Sequence, residues 1–294
     1  GILISHYWTG TEKAWDPPGE NIHHAFVICP WEGLAPVPQP WLEAWKHPKL
    51  RVVFTPSEYS RHFLVEAGLP AEKAKVCPNG VDLSVFTPDG DCLLAAPGVF
   101  RFLFIGGLIR RKGIDLLYKA WRRAFTANGP VRLVLKATGA QTFYRDSTEM
   151  PPNDYPGAPN WLPNVQLIDR DDFTPEQMAK LYRSCQVLVL PSRGEAFGLP
   201  VLEAMACGIP VIIPEGGPFD EYVPDGACLR VPLEGVPSLD TGEVDALAKA
   251  LRWCFLHKDR LPAMGRVGHE AAQAYGWDAI AAKYAEVIKE VCHD

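Results

Sequence analysis

The feature that most limits the fold is a regular alternation, from residue 99 onward, of short apolar runs with segments of helical periodicity. The runs are 99–105 (VFRFLFI), 131–136 (VRLVLK), 165–168 (VQLI), 186–190 (QVLVL), 210–213 (PVII) and 228–231 (CLRV). Strands buried on both faces read this way, and a parallel sheet covered by helices on both sides buries them. Between the first two runs Ile114, Leu117, Tyr118, Trp121 and Phe125 recur at helical spacing, as do Met178, Leu181, Tyr182 and Cys185 before the fourth. These stripes are core faces rather than ligand surfaces. Before residue 99 the same pattern is shorter, with strands expected at 2–5, 25–29, 51–54 and 74–77 and a helix across 57–67.

The 294 residues accommodate two ordinary domains. The segment 78–98, rich in Pro, Gly and Asp, reads as the linker between them. After 243 two amphipathic helices are expected, the last carrying Ile280, Tyr284, Val287, Ile288 and Val291 on one side. The predicted division is a reduced N-terminal domain at 1–95, a six-stranded domain at 96–275, and a closing helix at 276–294 that packs back toward the first. A doubly wound domain commonly has six strands, and the chain opens directly on Gly1-Ile2-Leu3-Ile4-Ser5. The first domain is therefore expected to be short or truncated, with a partner chain as one source of the missing elements.

Composition excludes several classes. With 22% charged and 47% hydrophobic residues the chain is neither disordered nor a disulfide scaffold. Its 29 basic against 35 acidic residues, with no local basic patch, argue against nucleic acid. Residues 1–95 hold 7 basic against 11 acidic side chains, which argues against docking on an anionic membrane. No run approaches the ~18 apolar residues of a transmembrane segment, and the first residues of the sequence do not show the basic-then-apolar pattern of a signal segment. The eight cysteines, at 29, 77, 92, 185, 207, 228, 254 and 292, lie singly and without metal-type pairing. They are expected as buried free thiols in a reducing compartment, hence a cytoplasmic protein.

The chemistry concentrates in 186–221, QVLVLPSRGEAFGLPVLEAMACGIPVIIPEGGPFDE. A buried strand ends at Leu190, a loop follows with Ser192, Arg193, Gly194 and Glu195, and Pro200 sits at a first helical position. The helix runs to about Ala206, with Gly208 suited to its end. A loop at the carboxyl end of a parallel strand that feeds a helix is where open α/β sheets place ligands. The amides around Phe197, Gly198 and Leu199 suit an anion such as a pyrophosphate. Glu195 and Glu203 stand seven intervening residues apart. A glycosidase pair flanks one bond at ~5–9.5 Å, whereas eight helical steps span ~12 Å, so two separate tasks are indicated. The hydroxyls of a sugar and of a ribose offer a partner for each.

The run E-A-F-G-L-P-V-L-E followed by A-M-A-C-G-I-P-V-I resembles the E-x7-E signature of retaining glycosyltransferases of family 4. Further likenesses are F-I-G-G-L-I-R-R-K-G at 104–113, V-C-P-N-G-V-D at 76–82, T-P-S-E-Y-S at 55–60 and Y-G-W-D-A-I-A-A-K-Y at 275–284. P-W-E-G at 30–33 resembles a bacterial subgroup. The resemblance implies a GT-B fold, an α/β architecture of two facing Rossmann-like domains, and a nucleotide-diphosphate sugar as donor. It implies that Glu195 binds the donor-sugar hydroxyls, Glu203 the ribose, and Lys112 with the Gly198 and Leu199 amides the diphosphate. The family usually carries Arg where this chain has Gly107, and Arg111 is expected to replace that cation. Lys136, Thr138, Gly139 and Asp169 are weaker donor-site candidates, and Gly216, Gly217 and Pro218 allow close backbone approach to the sugar; ordinary turn chemistry is the other reading of each.

With positive potential fixed at the leaving diphosphate, retention follows without a second catalytic carboxylate, as supposed for the family, and the leaving phosphate takes the proton. The signature segment 186–221 carries no Asp-x-Asp metal motif, so metal independence is expected. Family members present a His near the donor sugar; here Glu32 falls at that turn, and His6 at another strand end, while His23 and His24 read as surface residues. Trp8, Trp15, Trp31, Trp41 and Trp45 either offer faces to sugars or cover a surface where missing chain packs. The leading expectation is hexosyl transfer to an unidentified acceptor. The competing ones are a nucleotide-sugar-binding module whose acceptor half is incomplete, and a GT-B epimerase.

Overall fold

The computed structural model describes residues 2–6, 23–30, 36–94, 98–137, 164–170, 172–233 and 241–293. The chain divides into two compact units, Gly1–Gly80 with Gly194–Gly198 and Ala274–Asp294, and Val81–Arg193 with Leu199–Gln273. The division crosses the expected linker at Gly80/Val81. Residues 87–94 lie against the helix at 175–183: Arg183 donates to the carbonyls of Thr87 and Asp91, and the Leu93 and Leu94 amides donate to Ser184 Oγ.

The first unit is built on a parallel sheet in the order β1 (Ile2–His6), β2 (His24–Ile28), β3 (Leu50–Thr55), β4 (Ala74–Val76). Period-two alternation sends Ala25, Val27 and Cys29 into one core with Trp41, Trp45 and Leu64, and Phe26 and Phe54 into another. One extra residue in β3 interrupts the register, since Ala25 pairs with Leu50 but Phe26 with Val52. Leu50 and Val53 thereby share a face despite their odd spacing. The second face is covered by α8 (Trp277–His293) through the expected stripe of Ile280, Tyr284, Val287, Ile288 and Val291.

Two expectations are corrected here. Trp41 and Trp45 are 1% and 0% exposed, so they neither present faces to a sugar nor cover a bare surface. They lie four apart on the seven-residue α1 (Gln39–Trp45), which the sequence reading did not place, and share one buried side of it. Truncating either to Ala would cost about 3–5 kcal/mol. The closing region holds three helices rather than two, α6 (Thr241–Leu256), α7 (Leu261–Ala272) and α8. Pro262 in the first turn restarts a helix directly after the 257–260 turn.

The second unit carries all six expected strands, β5 (Phe100–Gly106), β6 (Val131–Ala137), β7 (Val165–Asp169), β8 (Val187–Val189), β9 (Val211–Pro214) and β10 (Cys228–Val231). They are parallel in the order β10-β9-β8-β5-β6-β7. Chain order reverses between β5 and β8, and open sheets bind ligands outside the carboxyl ends at such a point. With α2 (Glu58–Glu66) in the first unit, the remaining helices are α3 (Ile114–Ala124), α4 (Pro175–Arg183) and α5 (Leu199–Ala206). The stripe predicted for α3 is buried, with Ile114, Leu117 and Trp121 at 0%. Five of the eight residues of α5 are fully enclosed, Val201, Leu202, Ala204, Met205 and Ala206. Gly265 of α7 lets the helices meet there, since a Cβ would stand 2.0 Å from the Gly208 carbonyl oxygen. Among the described residues no helix is long and apolar enough to cross a membrane.

Candidate active site

The loops after β5 and β8, neighbours in the sheet, are joined by a compact set of contacts. β5 ends at Gly106, against which the Lys112 stem packs; a Cβ there would lie 3.4 Å from Lys112 Cγ. Arg110–Lys112 form a 3-10 turn closed by Gly113 in the left-handed region, φ 73°. That position also excludes any side chain, because a Cβ would fall 1.9 Å from the Pro191 carbonyl oxygen. The Arg111 carbonyl accepts from the Arg193 amide at 2.8 Å and from Ser192 Oγ at 3.1 Å. The Arg193 guanidinium donates to the Arg110 carbonyl at 2.6 Å and forks onto both Asp115 oxygens at 2.8 and 3.0 Å. A two-point guanidinium–carboxylate pair fixes orientation as well as distance. Arg111 and Lys112, half-buried, are therefore carried by a turn that is fastened on two sides.

Beyond Arg193 the chain passes through Gly194–Gly198, which belongs to the first compact unit, and enters α5 at Leu199. Glu195 is buried at 6% exposure. The residue after it is anchored through its backbone: Ser57 Oγ donates to the Ala196 carbonyl at 2.7 Å and accepts from the Ser60 amide at 3.0 Å as the cap of α2. Gly198 takes φ 89° at the entry to α5, whose first amides have no partner within the helix. Leu199 is exposed. One turn in, Glu203 accepts a hydrogen bond from Tyr182 Oη at 2.7 Å. Burial pushes the Glu203 carboxyl up to about 7, against the opposing pull of that bond. Burial, with Glu203 beside it, also drives the Tyr182 phenol well above its ordinary value, so it remains a neutral donor.

Comparison with known proteins adds the family. The model described as glycosyl transferases group 1 matches residues 99–256, and that of glycosyltransferase family 4 matches 22–85. The chain belongs to the group 1 glycosyl transferases. A D-inositol 3-phosphate glycosyltransferase of Arthrobacter sp. is 31% identical over 300 residues, 96% of this chain and 68% of that protein. That of Segniliparus rotundus is 27% identical over 298 residues, 95% of this chain, and the chain spans 64% of its length. Among solved structures, Anabaena HepE in complex with UDP and glucose superposes with a TM-score of 0.72 at 20% identity, covering 90% of this chain and 71% of that one. The fold is GT-B.

In this member of the group 1 glycosyl transferases the other anticipated residues are spread more widely. Gly107 is buried at the β5 end. Lys136, 2% exposed, directs its ammonium to the carbonyls of Ala137 and Arg170, with the Phe173 ring 5.2 Å away, and so ties the ends of β6 and β7 together. Asp169 is exposed at the end of β7, two strands from β5 and hence ~10 Å off. Gly216 and Gly217 both take positive φ, 79° and 77°, in the turn after β9. Glu32, Thr138, Gly139, Trp8, Trp15 and Trp31 lie outside the described residues.

Sequence reasoning did not foresee the partners of these groups: Asp115 for Arg193, Tyr182 for Glu203, Ser57 for Ala196. Tyr182 carried a signal only as a core position, which it also is. The thiol expectation is corrected at two sites, since Cys92 is exposed and Cys292 half-buried. Cys92 lies on the exposed segment that crosses α4, its thiol directed at the Arg183 carbonyl. Burial pushes Cys29, Cys185, Cys207 and Cys254 up to about 12 and Cys77 up to about 11, leaving them inert thiols.

Proposed function

We propose that this glycosyltransferase moves a hexosyl unit from a nucleotide-diphosphate sugar to an acceptor hydroxyl with retention of configuration and without a metal. The observation that carries the reading is the fastening of the Arg110–Lys112 turn to Ser192 and Arg193 at the point where strand order reverses. Breaking the donor bond loads negative charge onto the leaving diphosphate, and fixed cations and helix-terminal amides stabilise that charge without reorganising. Lys112, Arg111 and the amides at Gly198 and Leu199 take this role, which in other enzymes falls to a divalent ion. Glu195 holds hydroxyls of the donor sugar, Glu203 those of the ribose, and the leaving phosphate accepts the acceptor's proton. The relatives that carry the name D-inositol 3-phosphate glycosyltransferase support glycosyl transfer, and HepE in complex with UDP and glucose supports a nucleotide-sugar donor.

The test is calorimetry with a panel of nucleotide sugars, followed by product analysis with hydroxyl acceptors. Binding of one donor, transfer with the anomeric configuration retained by NMR, and turnover that survives EDTA are expected. Tight binding with no transfer to any acceptor would support a binding module instead.

A further inference from the structure

Tyr182 lies in the last turn of α4, 0% exposed, its ring edge-on to Phe86 at 6.0 Å between centroids. Enclosure of a phenol this complete requires a partner for its hydroxyl. The partner is Glu203 Oε2, 2.7 Å away and 21 positions on in the chain. An ionised carboxylate accepts such a donor more strongly than a protonated one, and O–H···O⁻ bonds are short and directional. We propose that Tyr182 is a positioning residue for nucleotide recognition: by donating to Oε2 it holds Glu203 in one rotamer and turns Oε1 toward the two hydroxyls of a ribose. The inference rests on the reading of Glu203 as the ribose-binding carboxylate.

The surroundings leave this task to the phenol. Around the pair stand Cys207, just past the end of α5, and Tyr222 of the turn after β9, both neutral groups at physiological pH, and Arg183, whose charge acts on Cys207. His269 of α7 is engaged with the Ala206 carbonyl at 2.8 Å. Tyr182 is the side-chain donor to Glu203 among the described residues. Its hydrogen bond favours the charged carboxylate while burial opposes it. Removal of the hydroxyl therefore does two things at once: it releases the rotamer and raises the pH at which the carboxylate forms. A diol whose two hydroxyls both reach Oε1 of a fixed carboxylate is distinguished from a deoxyribose, and that distinction weakens when the carboxylate swings.

The experiment is isothermal calorimetry from pH 5.5 to 8.5 with UDP, GDP and ADP, continuing with the tightest binder and its 2′-deoxy analogue. Tyr182→Phe keeps the ring and its packing. Its affinity is expected to fall about tenfold, its preference for the ribonucleotide to shrink, and the pH midpoint of binding to move upward. A merely structural role would leave that midpoint in place. In a Glu203→Gln background, Tyr182→Phe is expected to have no further effect on affinity. Unchanged affinity and midpoint in Tyr182→Phe, or additivity of the two substitutions, would overturn the inference while leaving the glycosyltransferase reading intact. Failure of the unsubstituted protein to bind any of the three nucleotides, or a Glu203→Gln protein that binds normally, would overturn the assignment beneath it.

Discussion

Glu195 and Glu203 belong to one loop and helix, and an anchor can be named for each at a different point of the chain. Glu195 is placed through the main chain, by the Ser57 hydroxyl on the carbonyl of the next residue. Glu203 is placed through its own carboxylate, by the Tyr182 hydroxyl. A main-chain anchor sets where a side chain starts; a bond to the carboxylate sets its rotamer and also its acid strength. Burial, outweighing the Tyr182 bond, raises the Glu203 carboxyl to about 7, so its contribution follows pH through the physiological range.

The largest expected effect separates the two roles directly. Glu195→Ala should lower kcat by about 10²–10³-fold with nucleotide affinity within about twofold, measured by steady-state kinetics beside calorimetry; unchanged turnover would remove Glu195 from the scheme. Gly113→Ala should treat both glutamates alike, because it acts on the basic turn. The Cβ clash with Pro191 and the φ of 73° predict a loss of at least about 2 kcal/mol in urea unfolding, together with weaker diphosphate binding.

Glu203 also imposes a pH dependence on stability whose sign follows from its shift. Between about 4.5 and about 7 the folded chain keeps a proton that the unfolded chain has released, so stability falls as pH rises through that window. Glu203→Gln should abolish the fall and gain on the order of 2 kcal/mol at pH 8 relative to pH 4.5, read from denaturation midpoints across pH. A parallel slope in both proteins would contradict the burial of this carboxyl.

The smallest effect tests the anchor of Glu195. Ser57→Gly keeps a serviceable helix cap at a cost of a few tenths of a kcal/mol but removes the donor to Ala196. A kcat lowered about tenfold with normal nucleotide affinity is expected, and Ser57→Thr should restore it. If Ser57→Gly turns over normally, the main-chain anchor has no catalytic weight.

The strands were legible because buried β-branched runs have little else to become, and all ten expected strands formed. The seven-residue α1 was not, because its length supports no period and its two tryptophans suit a surface as readily as a core. In the site, the contiguous signature from Ser192 to Glu203 could be read as chemistry. The pairs that hold it could not: Asp115 and Arg193 stand 78 positions apart, Ser57 and Ala196 139. Such pairs leave no local pattern, since complementarity appears only when the strands are laid side by side. Lys136 shows the converse, a cation at a strand end whose ammonium is engaged by the backbone carbonyls around it.

The Arg193 clasp has a consequence for ligand entry. Two loops that each would have to be stilled when an anion arrives are here already stilled by the fold, with the entropy of ordering them surrendered during folding. The basic turn thus resembles a rigid electrode more than a closing hand: on the proposed function, an incoming diphosphate would meet a field whose direction was set before it arrived.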